Sequence, residues 1–396
     1  MEDEIRNLWL YQAYDVFKQY DTGVKLDYII LLSILFVCII VSGKCLKTAT
    51  RKYWIISIPL IFLFSLVEGL RYLRGTDYLN YALLYKYYGD SASIEIVYIY
   101  MQKIFHAMGV AYWGIFVIYA FLWIITLLYF LRSYKEIIAF VLPIFIVFGL
   151  ANFECFIRQN IALSIIFVFL HFLSKQKHRK ALFCALIAFL IHSSSVVFIF
   201  YILLIWNFRF MVNPFIIALL YILAVFIIDA KIMGVVSKLI LLSPTIDGTA
   251  MSSYIENADS WFGGDATKEK FARGMLTKIG AAVFDLTTVF ITYEHIKVKS
   301  RENQRFIFFY NLFCVSLIFS QLFFTMEIPK RFFSAFYMFV SFLIAYIFRL
   351  KTSSKTVYFA RCIIIIYIFV FFVKNILLFP SQLFVWDAHG IYNFHL

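Results

Sequence analysis

The chain has 396 residues, of which 63% are hydrophobic and only 15% carry a charged side chain. Soluble domains carry roughly 25% charged residues, so the composition excludes a soluble globular protein. The formal net charge is +13, but most Lys and Arg residues lie in short clusters between apolar segments. Such clusters mark the cytoplasmic loops of membrane proteins and do not indicate a nucleic-acid partner. We therefore expect one all-α, polytopic membrane domain over residues 1–396.

The apolar segments and the basic clusters between them predict the topology. Residues 27–43 form the first apolar segment, and a basic cluster (Lys44, Lys47, Arg51, Lys52) follows it, so the N-terminus is expected outside. Each span needs about 20 mostly apolar residues. About twelve spans are predicted, with both termini outside, at residues 27–43, 53–70, 110–131, 137–152, 156–173, 177–192, 194–208, 213–229, 274–295, 306–325, 331–348 and 357–378.

Two polar segments are too hydrophilic to span and are predicted to lie outside. Residues 71–109 form a first outer loop with short helices at the membrane interface. Residues 230–273 form a large outer loop, in which carboxylates and aromatic residues such as Trp261 are suited to sugar hydroxyls and ring faces. The same composition is also found in ordinary surface loops.

A parity argument bears on the segment around His192. The chain is inside at Lys180 and outside at residue 230, so an odd number of spans must lie between them. Residues 213–229 form one span, and the 26 residues from 181 to 206 are ambiguous between one long span and two short ones. Parity requires two, with the break at His192 and the three serines that follow it.

Residues that do more than mark loops gather on the predicted outer side. A charged side chain in or near the hydrocarbon costs several kcal/mol, so these residues are the first place to look for a functional site. Outward arginines also run against the positive-inside rule and need an anion to offset them. Arginine can bind a diphosphate through paired hydrogen bonds. The residues are Arg71, Arg74, Asp77, Arg158, Gln159, His192, Glu327, Lys330 and Arg331.

Each of these residues also has a simpler interpretation. The arginines could extend to lipid headgroups. Asp77 could cap a helix or pair with Arg74. Glu327 and Arg331, four residues apart, could form a salt bridge, and His192 could mark a helix break without a chemical task. The sequence has no P-loop, dinucleotide fingerprint, zinc-ligand spacing or nucleophile elbow.

Three segments carry a resemblance to a known family. Residues 71–81 read RYLRGTDYLNY, residues 156–162 read FIRQNIA, and residues 188–194 read AFLIHSS. In order and spacing, and with Arg331 near the start of a late helix, the chain resembles the EpsG-like family of Wzy-type bacterial polysaccharide polymerases. The resemblance covers about residues 53–349 and is looser after residue 213.

The resemblance implies a GT-C-like membrane glycosyltransferase in the bacterial plasma (inner) membrane, with its site facing the exterior or periplasm. Its donor and acceptor would be undecaprenyl-diphosphate-linked oligosaccharide repeat units. The growing chain would leave its lipid diphosphate and join the non-reducing end of a new lipid-linked unit. Because the diphosphate already activates the donor, no metal or other cofactor is required on principle. Membrane lipids and a chain-length regulator are the other partners to consider.

That reaction assigns roles to the candidate residues. Arg158 and Arg331 are expected to bind the diphosphate, with Arg71 or Arg74 assisting, because preorganised cations stabilise the charge that develops on the leaving group. His192, Asp77 and Glu327 are the candidates for the base. His192 ranks first because a histidine titrates near pH 6.5. The residues expected to contact substrate are Tyr78, Tyr81, Gln159, Lys330 and Trp261.

Two other functions remain as alternatives. A flippase or transporter of the same lipid-linked oligosaccharides would place charges near the bilayer midplane and show an internal repeat. We expect neither feature from this sequence. A membrane acyltransferase that modifies surface glycans would need a catalytic histidine facing an acyl donor, and His192 alone fits that role.

Overall fold

The computed structural model describes residues 22–49, 51–72, 78–86, 95–227, 274–298, 304–324, 327–377 and 383–384. The chain divides into two compact units. The first comprises Met1–Val196 and Phe371–Leu396, and the second comprises Val197–Val370.

In the residues that the structure describes, the first unit is built from α-helices and one short strand pair. Strands β1 (Arg71–Tyr72) and β2 (Leu383–Phe384) pair antiparallel, with Arg71 opposite Phe384. A 3₁₀ helix, Arg132–Ile137, joins the fifth helix to the sixth. The helices are α1 (Thr22–Thr48), α2 (Tyr53–Gly69), α3 (Tyr78–Lys86), α4 (Ile96–Ala107), α5 (Tyr112–Leu131), α6 (Ile138–Cys155), α7 (Ile157–Ser174) and α8 (His178–Ile191).

The second unit is also α-helical where the structure describes it. Helix α9 (Ser195–Trp206) begins at the end of the first unit and continues in the second. It is followed by α10 (Pro214–Ile222), α11 (Met275–Val298), α12 (Gln304–Leu322), α13 (Glu327–Tyr337), α14 (Val340–Arg349) and α15 (Lys355–Phe372). Helices α10 and α15 each end in a π-helical turn, Leu223–Ile227 and Val373–Leu377.

Helix α5 is central to the packing of the first unit. It packs against α2 and α7, while α8 packs against α7 and α4. Trp123 of α5 is fully buried, and its ring lies 5.5 Å from the ring of Phe64 and 5.2 Å from that of Phe153. Stacked and tilted aromatic pairs add to the stability that burial provides. This core holds the helix ends that carry the site described below.

Outward faces of the helices are apolar. Val37 of α1, Phe62 of α2 and Leu182 of α8 are each more than 60% exposed. In water such surfaces would be costly, whereas in a bilayer they contact lipid. Seven stretches of the described residues are long and apolar enough to cross a membrane: Ile29–Thr48, Tyr112–Cys155 (which contains both α5 and α6), Ile157–Ser174, Met275–Ile296, Arg305–Leu322, Lys330–Arg349 and Lys355–Ile376. The protein is a polytopic α-helical membrane protein.

The observed helices can be compared with the predicted spans. Within the described residues, each of the twelve predicted segments contains a helix. The break predicted at His192 is present, because α8 ends at Ile191 and His192 has an extended backbone. The segment 331–348 differs from the prediction, since it begins earlier, at Glu327, and is interrupted between Tyr337 and Val340. There the Phe339 amide donates to the Phe336 carbonyl, a tighter turn than that of an α-helix.

Gly69, the last residue of α2, allows α2 to approach α5 closely. A Cβ atom at this position would lie 2.4 Å from the Cα of Val117 and 2.8 Å from its backbone nitrogen. Backbone atoms cannot move aside as a side chain can, and small residues are what permit such contacts between membrane helices. We expect Gly69→Ala to destabilise the protein by about 1–3 kcal/mol, measured as a lower thermal midpoint in detergent.

Gly280→Ala is the matched control for this substitution. Gly280 lies within α11, and a Cβ there meets nothing within 4 Å. This variant should be as stable as the wild type or slightly more stable, since alanine favours helix over glycine by up to about 1 kcal/mol. Equal losses in the two variants would show that the contact between α2 and α5 is not the cause.

Candidate functional site

Three helix ends in the first unit place polar side chains together. Glu95 precedes the first residue of α4, Arg158 is the second residue of α7, and His192 follows the last residue of α8. The local sequence explains why each of these three residues lies at a helix end. Apolar stretches start or stop at these residues, and the polar side chains remain at the ends of the helices, where the chain turns.

The carboxylate of Glu95 bridges the other two residues. Its Oε2 accepts a hydrogen bond from Nη1 of Arg158 at 2.8 Å, and its Oε1 lies 2.8 Å from Nδ1 of His192. The backbone N–H and the hydroxyl of Ser193 also donate to Oε1, at 3.0 and 3.2 Å. We call these four residues, together with Tyr81, the Glu95 cluster.

Tyr81 completes the cluster on the side of Arg158. Nε of Arg158 donates to the Tyr81 hydroxyl at 3.0 Å, and the guanidinium carbon lies 5.9 Å from the centre of the Tyr81 ring. Tyr81 is itself 9% exposed and packs edge-on against Tyr98 of α4. Two of the guanidinium nitrogens therefore fix the side chain against the protein. The side chains of Arg158, Glu95 and His192 remain 17–21% exposed, so a ligand can contact the cluster.

Glu95 is ionised at neutral pH. Burial raises the pKa of its carboxyl, but the hydrogen bond and charge of His192, the backbone N–H of Ser193 and the charge of Arg158 together outweigh burial and lower it to about 2. An ionised carboxylate can only accept hydrogen bonds, so Nδ1 of His192 must carry the hydrogen in their contact. When the imidazole is neutral, Nε2 is then the nitrogen that can take a proton.

The cluster therefore has the parts of an acid–base site. A histidine oriented by a carboxylate is the usual arrangement for proton transfer to and from a hydroxyl. A partly exposed arginine next to it can bind an anion. Among the described residues no group of three His, Cys, Asp or Glu side chains is placed to hold a metal ion.

The structure places Arg71 and Tyr78 in a second, buried group of the first unit. Arg71 is 1% exposed, and its guanidinium donates to the carbonyls of Glu68 and Glu154. Its guanidinium carbon lies 5.3–5.9 Å from the centres of three aromatic rings, including those of Tyr78 and Phe153. In this position Arg71 stabilises the packing around α2, and its role as a diphosphate ligand stays a prediction.

The other predicted site residues are distributed as follows. Gln159 is buried beside Arg158 in the first turn of α7. Lys330 and Arg331 are half-buried near the start of α13 in the second unit, and Nζ of Lys330 lies 4.3 Å from the centre of the Phe324 ring. Glu327 begins α13. Arg74, Asp77 and Trp261 lie outside the described residues, as do the loop 230–273 and part of the loop 71–109.

Sequence reasoning missed Glu95, the residue that joins the cluster. The outward arginines predict a counter-charge, and from the sequence that charge is assigned to a bound ligand alone. Glu95 supplies that charge for Arg158 within the protein. The sequence shows only that Glu95 directly precedes a helix in the same predicted outer loop as Tyr81, which does not identify its partners.

The expectation that no charge lies near the middle of a span was wrong. Asp285 lies near the middle of α11 and is 1% exposed. Its Oδ2 accepts a hydrogen bond from the hydroxyl of Tyr221 at 2.9 Å, and its Oδ1 accepts one from Tyr337 at 2.6 Å. These bonds offset the cost of burying a carboxylate. Asp285 thereby joins α10, α11 and the end of α13 within the second unit.

Comparison with known proteins decides the family. The model of the EpsG family matches residues 51–385, which include the Glu95 cluster. The chain belongs to the EpsG family. Searches of curated proteins and of solved structures found no match to it. Membership in the EpsG family associates the chain with the polymerases of polysaccharide biosynthesis, as the resemblance implied.

Proposed function

We propose that this EpsG-family protein polymerises undecaprenyl-diphosphate-linked oligosaccharide repeat units on the extracytoplasmic face of the bacterial plasma membrane. The observation that carries the proposal is the Glu95 cluster. One carboxylate lies 2.8 Å from both Arg158, a diphosphate-binding residue type, and His192, a base. All three residues come from segments whose charge pattern predicts the outer side.

The proposed reaction assigns a step to each member of the cluster. A hydroxyl on the non-reducing sugar of the acceptor attacks the anomeric carbon of the donor glycan. Its proton moves to Nε2 of His192 while Glu95 holds Nδ1. The bond between the anomeric carbon and the diphosphate oxygen breaks, and undecaprenyl diphosphate leaves. Arg158 stabilises the negative charge that develops on that oxygen.

The proposal includes a GT-C-like arrangement of twelve spans with both termini outside. Helices at all twelve predicted segments support this topology. Helices α8 and α9, with 14 and 12 residues, would be short crossings that need a locally thinned bilayer. In this topology Arg331, Lys330 and Glu327 also face outside and are proposed to contact substrate, as are Arg74, Asp77 and Trp261.

A gene deletion complemented with variants tests this function. Surface glycan from strains carrying the wild type, Arg158→Ala or Arg179→Ala would be compared on a gel. Arg179 is the control, because it is exposed on the basic segment predicted to be cytoplasmic. We expect Arg158→Ala, at normal protein level, to lose the long-chain ladder and keep single repeat units, while Arg179→Ala keeps the ladder. An unchanged ladder in Arg158→Ala would contradict the assignment.

A flippase for the same lipid-linked units is the second candidate. Two observations favour it, the buried Asp285 in α11 and the interruption between α13 and α14. Charges and broken helices near the middle of the bilayer are common in transporters. The same experiment separates the two functions. Loss of every surface repeat unit in the deletion strain would indicate a flippase, whereas survival of single units shows that export continues without this protein.

A further inference from the structure

Helix α4 has its polar residues facing the protein and its apolar residues facing outward. Tyr98 is fully buried and Gln102 is 8% exposed, and both lie on the same helical face as Glu95. On the opposite face, Ile96, Tyr100 and Ile104 are more than half exposed, and Met108 beyond the helix end is 71% exposed. A surface helix of a soluble protein has the reverse arrangement.

The length and the charge of α4 together do not fit a membrane span, whereas the equally short α9 carries no charged residue. Twelve residues make a helix of about 18 Å, well short of the roughly 30 Å of the hydrocarbon layer. Lys103 and His106 are exposed along one edge of the apolar face. A helix with an apolar face bordered by basic residues lies in the membrane interface, with its apolar side towards the lipid chains.

The apolar face of α4 begins at the end of the helix that carries Glu95. Ile96 follows Glu95 directly, and the Glu95 carboxylate is 2.8 Å from Arg158. Tyr100, Ile104 and Met108 continue from Ile96 at steps of four residues, one above the other. Arg158 therefore lies at the same end of α4 as Ile96, the first residue of an exposed apolar stripe.

We propose that this stripe binds the first isoprene units of the lipid substrate whose diphosphate lies on Arg158. A polyprenyl diphosphate suits the arrangement because its apolar chain begins directly at the diphosphate. In a phospholipid, a glycerol and ester groups separate the phosphate from the chains. This inference rests on the proposed function, and it assigns the specificity of that site for the lipid carrier.

If the stripe binds the isoprenoid chain, the effect of a substitution in the stripe on KM should depend on the length of that isoprenoid chain. Donor units carrying the same oligosaccharide on an undecaprenyl or a geranyl diphosphate would be compared with purified protein in nanodiscs. The two-unit geranyl chain reaches Ile96 but not the far end of α4. Met108→Ser and Ile104→Ser should raise KM for the undecaprenyl donor about three- to tenfold and leave KM for the geranyl donor unchanged. Ile96→Ser should raise both.

Ile55→Ser is the control, because Ile55 is 64% exposed on the apolar face of α2. It should change neither KM. A rise for both donors in Met108→Ser and Ile104→Ser would mean that the stripe only anchors α4 in the bilayer, and no change in any variant would exclude a chain on α4. Failure of the proposed function would look different, since wild-type protein would then polymerise neither donor, or Arg158→Ala would polymerise both.

Discussion

Glu95→Gln is expected to lower kcat for polymerisation about 100-fold and to leave KM equal or lower. Glutamine can still accept the hydrogen bond from Nδ1 of His192, but it does not carry the charge that stabilises the imidazolium formed when Nε2 takes a proton. General acid–base catalysis contributes about 10²- to 10⁴-fold, so much of it should be lost. Glu95 is not expected to touch substrate, and we regard it as a positioning residue.

The expected KM follows from the contact between Glu95 and Arg158. Their 2.8 Å ion pair means that Glu95 competes with a substrate diphosphate for the same guanidinium. Removing the competing charge should tighten binding of the donor while the proton transfer slows. A residue with a purely structural role would not produce this opposite change in kcat and KM, and a KM that rises together with the loss of kcat would contradict the assignment.

Glu136→Gln serves as the control for Glu95→Gln. Glu136 is exposed in the 3₁₀ helix between α5 and α6, in a segment predicted to be cytoplasmic. The substitution Glu136→Gln makes the same chemical change at a residue outside the cluster. Both kcat and KM should therefore stay at their wild-type values. Steady-state rates with a lipid-linked donor, measured on purified variants with matched thermal midpoints, make the comparison.

The positions of the helices could be predicted because the signal is local. An apolar segment long enough to bury its backbone in lipid has to be helical, and basic clusters show where the chain turns. The break at His192 followed from counting crossings between two basic or polar segments. The interruption after Tyr337 could not be predicted, because the apolar segment continues through it. A tertiary contact, the bond from Tyr337 to Asp285, is made at that point.

Parts of the candidate site could be recognised in the sequence for the same reason. Arg158 and His192 stood out because a charged or titratable group at the end of an apolar segment is unusual. Glu95 is 63 residues from Arg158 and 97 from His192 in sequence. An acid in a polar loop gives no local sign of such partners. Arg71 shows the opposite case, since its motif was evident, but its burial beneath aromatic rings depends on α5 and α6 and is visible only in the fold.

Arg158→Lys is expected to lower kcat/KM about 10²- to 10³-fold, although the charge is kept. The guanidinium of Arg158 bonds to Glu95 through Nη1 and to Tyr81 through Nε, which leaves its remaining donors for a ligand. Lysine has a single ammonium group and cannot span these partners and a diphosphate together. Removing one well-placed donor from a developing negative charge costs about 10²- to 10³-fold in other enzymes.

Tyr81→Phe separates the geometry of Arg158 from its charge. This variant removes only the hydroxyl that accepts from Nε, so the guanidinium keeps its charge and its bond to Glu95 but loses one of its two supports. We expect a smaller loss of kcat/KM than in Arg158→Lys. Near wild-type activity in Arg158→Lys would show that a positive charge alone suffices. The paired hydrogen bonding of an arginine would then not be what the diphosphate requires.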